Sequence, residues 1–381
     1  MIAPLATTIG TLYRRIAKPL LFRLQPDGVH GRMITAARLA AHVPFFAACA
    51  KRILRFDQPA VLSQTLHGVR FANPIGLAAG LDKNAELLPL LPSVGFGFGT
   101  VGSVTREPCA GNPRPWFYRL PAHKSLVVHV GLANKGAAAV QRQIARWGAR
   151  KPLRTFPVVV SVAKTNNPQT CSDQEAIADY LGSLQLLQHD PHVAVLELNI
   201  SCPNTYGGEP FTDPQRLEQL LSAVDALDIA KPIWVKMPIN HTWQEFDALL
   251  AVVTQHNVQA VTIGNLNKKR DAISSDDLPS QVHGNLSGLP TQALSDSLIE
   301  QTYQHYGDKL LIVGVGGVFT AQDAYRKLCL GASLVELITG LIYEGPQLIG
   351  QINRELADLF ARDGYHTITQ AIGSAHAPRK H

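Results

Sequence analysis

The chain has 381 residues, 46% of them hydrophobic and 17% charged, a balance that supports a sizeable core and excludes a disordered polyelectrolyte. Thirty glycines and 25 prolines imply many tight loops, and the length suits one large α/β barrel or two ordinary domains. Five cysteines (Cys49, Cys109, Cys171, Cys202, Cys329) are scattered without a CxxC or CxxxC pair, so no metal centre is expected and reduced, cytosolic thiols are the simpler reading.

The net charge of +6 gathers at one end. Residues 1–55 carry nine Lys/Arg against Asp27 alone, which leaves the remainder slightly acidic. A basic end serves nucleic acid or an anionic membrane face. The pattern favours the membrane, because Leu5, Ile9, Leu12, Ile16 and Leu20 recur three or four apart while Arg14, Arg15 and Lys18 lie off that stripe. A helix docked on its own domain is the alternative. Pro19 is expected to interrupt this helix. The next apolar stretch, 34–50, is broken by Arg38, His42 and Pro44 and is too short to span a bilayer. Residues 1–60 therefore read as a helical, membrane-associating region.

From about residue 65, short apolar runs alternate with helix-compatible segments. The expected inner strands are Ile75–Ala79, Phe98–Ser103, Val158–Ala163, Val193–Asn199, Ile233–Met237, Ala260–Gly264, Leu310–Val315 and Leu334–Thr339. Most are nearly continuous apolar runs, as parallel strands buried on both faces should be. Crossover helices are expected at Asp173–Gln188, Pro214–Leu227, Trp243–His256, Thr291–Tyr306 and Ala321–Leu330. Eight repeats point to a (β/α)8 TIM barrel over 61–355. An open doubly wound sheet is the alternative, without its usual dinucleotide fingerprint. Residues 356–381 read as a helix and a mobile tail.

The polar residues fall in one register. Lys83 follows the first strand, Asn199 and Cys202 follow the fourth, Lys236 sits in the fifth and Asn265 follows the sixth. Residues at the C-terminal ends of barrel strands meet at the mouth. The run Asn199-Ile200-Ser201-Cys202-Pro203-Asn204-Thr205 puts amides and an ionisable thiol there, suited to holding a polar ring and taking a proton from it. Cys202 as a small buried filler is the bland alternative. Gly316-Gly317 after the seventh strand, Thr339-Gly340 after the eighth, and Gly284–Gly288 can offer backbone N–H groups to a phosphate. Lys236 in a barrel core needs an anionic or electron-rich partner, such as a reduced flavin or the carboxylate of Glu197. Lys164 is a further candidate donor.

From about Arg15 to Ile349 these residues resemble the dihydroorotate dehydrogenases, especially their membrane-associated, quinone-using class 2 branch. The resemblance rests on Asn73–Lys83 (NPIGLAAGLDK), Gly111–Pro115 (GNPRP), the Asn199–Thr205 run and Gly314–Gly317. It implies FMN as cofactor, dihydroorotate as substrate and a membrane quinone as acceptor, with no nucleic acid, in a protein expected to be a monomer. It also implies peripheral attachment to a quinone-containing membrane such as the cell inner membrane, facing the cytoplasm. On matching positions, Cys202 is the base that takes the C5 proton, and Lys83, Asn199, Asn204 and Asn265 contact substrate. FMN would lie against Ala79, Gly80, Lys83, Ser103, Ser161 and Asn199. It would also meet Lys236, Gly264, Gly288, Gly316, Gly317, Thr339 and Gly340. His30 and Arg119 match quinone-site positions.

The chain also departs from the pattern. The quinone branch usually has Ser where Cys202 stands, and Cys is typical of the soluble branch. Val128 and Ala133 replace amides, Ser161 an asparagine, Leu266 a hydroxyl residue and Ile338 a tyrosine. Losing one amide contact costs about 1–3 kcal/mol. An FMN enzyme for a different cyclic amide or imide, or a non-catalytic flavin-binding barrel, stays open.

Overall fold

The computed structural model describes residues 2–56, 59–148, 153–271, 273–274 and 276–376. The chain opens with α1 (Ile2–Leu12), passes through one π turn (Tyr13–Ala17) into α2 (Lys18–Arg23), and continues as α3 (Pro26–Ala41) and α4 (Pro44–Leu54). Pro19 does not interrupt the first helix as expected. The π turn before it, closed by the Lys18 N–H to the Tyr13 carbonyl, widens the backbone where proline's ring would otherwise meet the preceding turn. Most of the expected stripe faces outward: Leu12, Ile16 and Leu20 are exposed and Ile9 is half-buried. Leu5's side chain lies outside the described set. α3 and α4 bend by 108°, and among the described residues no single helix is long and apolar enough to cross a membrane.

A hairpin of β1 (Gln64–Leu66) and β2 (Val69–Phe71) precedes the barrel, which starts with β3 (Ile75–Leu77), α5 (Leu91–Val94) and β4 (Phe98–Val104). A second hairpin, β5 (Phe117–Leu120) and β6 (Ser125–Val128), then leaves the barrel before α6 (Ala137–Gly148) and β7 (Val158–Val162). The regular repeat continues with α7 (Asp173–Leu187), β8 (Val195–Asn199), α8 (Pro214–Asp225), β9 (Ile233–Met237), α9 (Trp243–Val253) and β10 (Ala260–Ile263). After a short β11 (Asn285–Leu286) come α10 (Gln292–Tyr306), β12 (Leu311–Val315), α11 (Ala321–Leu330) and β13 (Leu334–Leu337). The chain finishes with α12 (Thr339–Glu344), α13 (Leu348–Arg362) and α14 (Ile368–Ala371).

All eight expected inner strands are present, within two residues at either end. They close in chain order, β3-β4-β7-β8-β9-β10-β12-β13, with every pairing parallel. Local signals start the crossovers: Asp213 caps α8 ahead of Pro214, and capping boxes open α9 (Thr242, Glu245) and α11 (Thr320, Asp323). Phe71 from the first hairpin plugs the N-terminal end of the barrel, its ring 5.4 Å from Phe98 and 6.5 Å from Trp234. Gly76 makes room for that floor, since a Cβ there would collide with the Phe98 ring.

Two regions differ from expectation. β11, β6 and β5 form a separate antiparallel sheet over the mouth. Its strands are short and one partner is about 160 residues away, so local periodicity carries no trace of it. The last barrel helix, α13, runs across the expected boundary at 355. Beyond it the chain stays packed through buried Ile368 and Ala371, and the His376 ring stacks 5.4 Å from Tyr303. Residues 377–381 of the expected tail lie outside the described residues.

Candidate active site

The strand ends, the loops after them and the small sheet enclose one cavity at the C-terminal mouth. Of the residues singled out in the sequence, it is lined by Ala79, Gly80 and Lys83 after β3, Ser103 at the end of β4, and Asn199, Cys202 and Asn204 on or after β8. Lys236 on β9, Gly264 and Asn265 after β10, Gly288, Gly316, Gly317, Thr339 and Gly340 complete that set, and His30 enters from α3. Residues distant in sequence thus meet in one place because the barrel aligns all strand ends at one rim.

The amides are held by neighbours. Asn199 donates to Ser103 Oγ at 2.7 Å, and its Oδ1 accepts from Ser201 N–H at 3.2 Å. Asn265 donates to the Ser201 carbonyl at 2.6 Å and to its Oγ at 2.8 Å. Asn204 donates to the Val128 carbonyl at 3.2 Å and accepts from Asn285 at 3.1 Å, while Asn112 donates to the Asn204 carbonyl at 3.2 Å. The small sheet thereby grips the Cys202 loop. Asn112 and Asn285 lie in the noted GNPRP and Gly284–Gly288 segments, but this role was not read from the sequence, because asparagines in loops carry no periodic signal.

Lys83 is different. Its ammonium nitrogen is buried and has no hydrogen-bond partner, although part of the side chain is exposed. Burial pushes it down to about 8, against the opposing pull of Asp82. Asp82 itself is occupied with the backbone N–H groups of Glu86 at 2.7 Å and Leu87 at 2.9 Å. The Phe117 ring lies 6.0 Å from it, but a buried ammonium without a hydrogen-bond partner is costly and fits an anionic ligand. Burial pushes the Cys202 thiol up to about 11, with Glu209 acting in the same direction. The Asn204 backbone N–H, Lys236 and Lys164 pull it back. His30 is pushed down to about 4 by burial and then by Lys83 and Arg114, so it is neutral, its ring 5.0 Å from Phe117.

Three of the candidate residues do not line this cavity. Ser161 is wholly buried and does not line the cavity; its hydroxyl lies 3.0 Å from Ser103 Oγ, one layer behind the wall. Arg119 does not line it either. Its guanidinium donates to the carbonyls of Phe22 at 3.2 Å and Leu24 at 2.6 Å and stacks on the Phe22 ring, tying the N-terminal helix to β5. Lys164 donates to the Tyr206 carbonyl at 2.6 Å, and no described bond joins Lys164 or Lys236 to Glu197.

One side of the cavity is a backbone cradle. A Cβ on Gly340 would collide with the Val318 carbonyl, and one on Gly316 with the Thr291 hydroxyl. Only glycine leaves these N–H groups open to an oxyanion. Apart from Ser287 and Thr291, the rest of the wall is largely apolar, with Leu81, Phe117, Leu126, Val128, Val130, Leu132, Ala133, Leu266, Ile338 and Ile342. The lining suits a flat ring system with a phosphate at one end and a small anionic ring beside Lys83.

A family profile described as "Dihydroorotate dehydrogenase" matches residues 61–360. The chain is 38% identical to the "Dihydroorotate dehydrogenase (quinone)" of Deinococcus deserti over 372 residues, covering 95% of this chain and 99% of that protein. It is 36% identical to the protein of the same description from Gloeobacter violaceus, covering 95% and 98%. Among solved structures, ligand-free DHODH from Eimeria tenella superposes with a TM-score of 0.78 at 26% identity, covering 89% of this chain and 99% of that one. The complex of DHODH from Eimeria tenella with ferulenol has a TM-score of 0.83 at 24% identity, covering 94% and 99%, a likeness of fold.

Proposed function

The chain belongs to the dihydroorotate dehydrogenase family, in its quinone-dependent branch, and on that premise we propose that it oxidises dihydroorotate to orotate with FMN as cofactor and a membrane quinone as acceptor. The observation that carries this reading is the buried Lys83 ammonium, without a hydrogen-bond partner, in the same cavity as Cys202 and the three asparagines. An anionic six-membered ring supplies the missing charge partner and offers its edges to Asn199, Asn204 and Asn265.

The cavity fits FMN. The cradle at Gly316, Gly317 and Gly340 would take the phosphate, and Lys236, buried on β9, would lie toward the electron-rich edge of the ring system. When bound, FMN supplies the hydride acceptor for C6 of the substrate. The protein's own part is to hold and deprotonate. Lys83 and the asparagines fix the ring, Cys202 Sγ takes the C5 proton, and the apolar wall keeps water out. The thiol is neutral at rest, so proton removal relies on Lys164 and Lys236 favouring the thiolate during the reaction.

Delivery of electrons belongs to the N-terminal helices. Leu12, Ile16, Leu20, Leu24, Met33, Leu39, Phe45 and Phe46 are exposed on them, next to Arg15, Arg23, Lys51 and Arg52. This composition suits insertion into the interface of an anionic membrane. His30, reaching the cavity from α3, marks the side from which a quinone would approach.

The wall of Val128, Val130, Leu132, Ala133 and Leu266 offers no side-chain donor, and it favours a second reading: a less polar cyclic amide or imide as substrate. Rapid mixing of the FMN-loaded protein with dihydroorotate separates the two. Flavin bleaching followed by reoxidation with a quinone supports the first reading. A flavin spectrum indifferent to dihydroorotate and orotate, yet shifted by another cyclic imide, supports the second. Unchanged turnover in Cys202→Ala would remove Cys202 as the base.

A further inference from the structure

At the mouth and just below it, the barrel encloses three charged side chains. Glu197 on β8, Lys236 on β9 and Glu336 on β13 are the only titratable residues on the eight barrel strands. Glu197 lies two residues before Asn199, which places it on the same face, one layer deeper. Both glutamates are wholly buried and Lys236 nearly so. Beneath them the floor of Phe71, Phe98 and Trp234 closes the barrel.

The hydrogen bonds of the two carboxyls are half complete in a symmetrical way. Thr262 donates to Glu197 Oε2 at 2.6 Å, and Thr100 donates to Glu336 Oε1. The other two oxygens, Glu197 Oε1 and Glu336 Oε2, are buried with no partner. The strands flanking β13 bring only Gly76 and Val315 opposite Glu336, so no further charge reaches it from there. Two buried carboxylates, each with one unbonded oxygen, are costly together when both are ionised, and a single proton shared by the pair would remove much of that cost. After burial, the Glu197 charge is the main influence raising Glu336, and Lys236 opposes it. With a single proton, the pair carries one negative charge, which balances Lys236.

We propose that Glu197 and Glu336 work as one acid, holding a single proton between their free oxygens, and that the charge of this unit sets how strongly Lys236 stabilises a reduced flavin. The second half rests on the FMN reading above. Both glutamates are positioning residues, since they act on the flavin through Lys236.

The test compares the FMN-loaded wild type with Glu336→Gln, Glu197→Gln and the double variant, using infrared spectra and the flavin midpoint potential across pH. Wild type should show a protonated-carboxyl band at neutral pH that either single variant loses. Its midpoint potential should fall more steeply with pH where the shared proton leaves. Each single variant keeps one negative charge and should match wild type at neutral pH without the added steepness. The double variant, with no charge below Lys236, should have a higher potential throughout. A wild type without that band overturns the shared proton, and equal potentials in wild type and double variant overturn the influence on Lys236. Each single variant checks the other should one misfold. A wild-type chain that takes up no FMN overturns the flavin reading and the second half with it, while the infrared comparison still decides whether the pair holds one proton.

Discussion

Cys202, Lys83 and Glu336 are each displaced from their ordinary protonation by burial, and each displacement has a measurable sign. The Cys202 thiol is pushed up to about 11, so the thiolate fraction grows about tenfold per pH unit below that value. Flavin reduction by dihydroorotate should therefore rise with pH through the neutral range. A flat profile would mean that the proton goes elsewhere. Cys202→Ala should slow reduction by about two to four orders of magnitude and retain FMN, as its absorbance would report. Lys83→Met removes a charge offered to an anionic ring in the cavity. A charged hydrogen bond is worth about 1.5–3 kcal/mol, so the dissociation constant for orotate should rise by about ten- to a hundredfold, read by titrating the flavin spectrum. Glu336 is raised by burial and by Glu197, so the folded state keeps a proton that the unfolded chain releases. Its stabilising contribution is full below the ordinary carboxyl range and is lost as pH rises toward and past neutrality. Glu336→Gln should flatten that decline in denaturant unfolding between acidic and mildly alkaline pH. Lys83 and Cys202 were visible in the sequence as types after strand ends, whereas Glu336, inside β13, was not singled out. Partners were not visible either: that Thr100 and Thr262 serve the glutamates, or that Arg119 is spent on carbonyls of Phe22 and Leu24, follows from non-local packing.

At the level of elements, the continuous apolar runs from Ile75 to Leu337 announced buried parallel strands, and Asp213-Pro214 announced the start of α8. The π turn before Pro19 and the β5–β6–β11 sheet were not legible, because one needs backbone geometry and the other a pairing of short segments far apart in the chain. That sheet matters for function. β6 accepts from Asn204 through the Val128 carbonyl and β11 donates to it through Asn285, so Asn285→Ala should loosen the Cys202 loop and raise KM more than it lowers kcat. The Asp27 carboxylate receives the Trp116 and Phe117 N–H groups at 3.0 and 3.1 Å, fastening α3 to the same sheet. On the outer side of the helical region, Phe45 is 77% exposed and Phe46 52%. Burying such a ring is worth about 1.5–3 kcal/mol, so Phe45→Ser with Phe46→Ser should cut partitioning onto anionic vesicles at least about tenfold in a sedimentation assay. Turnover with a short-chain soluble quinone should be unchanged. Equal vesicle binding would place the membrane contact elsewhere.

For the whole molecule, the barrel sorts chemistry by depth: an aromatic floor, a layer of two glutamates, then a mouth of a lysine, amides, a thiol and open backbone N–H groups. Four strands, β3, β8, β9 and β10, bring Lys83, Asn199, Cys202, Lys236 and Asn265 together from more than 180 residues of chain, and the small sheet and α3 roof the cavity on the side facing the exposed helices. Barrel order was legible from the repeat. The nature of the wall around the substrate was only half legible, since Val128 and Ala133 were recognisable as substitutions while Phe117, Leu126 and Ile342 joined the wall through elements the sequence does not announce. Anaerobic stopped-flow mixing of the FMN-loaded protein with dihydroorotate, across pH, bears on all three layers at once. Bleaching of the flavin that accelerates with pH and is lost in Cys202→Ala is the expected result. A flavin that stays oxidised with dihydroorotate at every pH would contradict it.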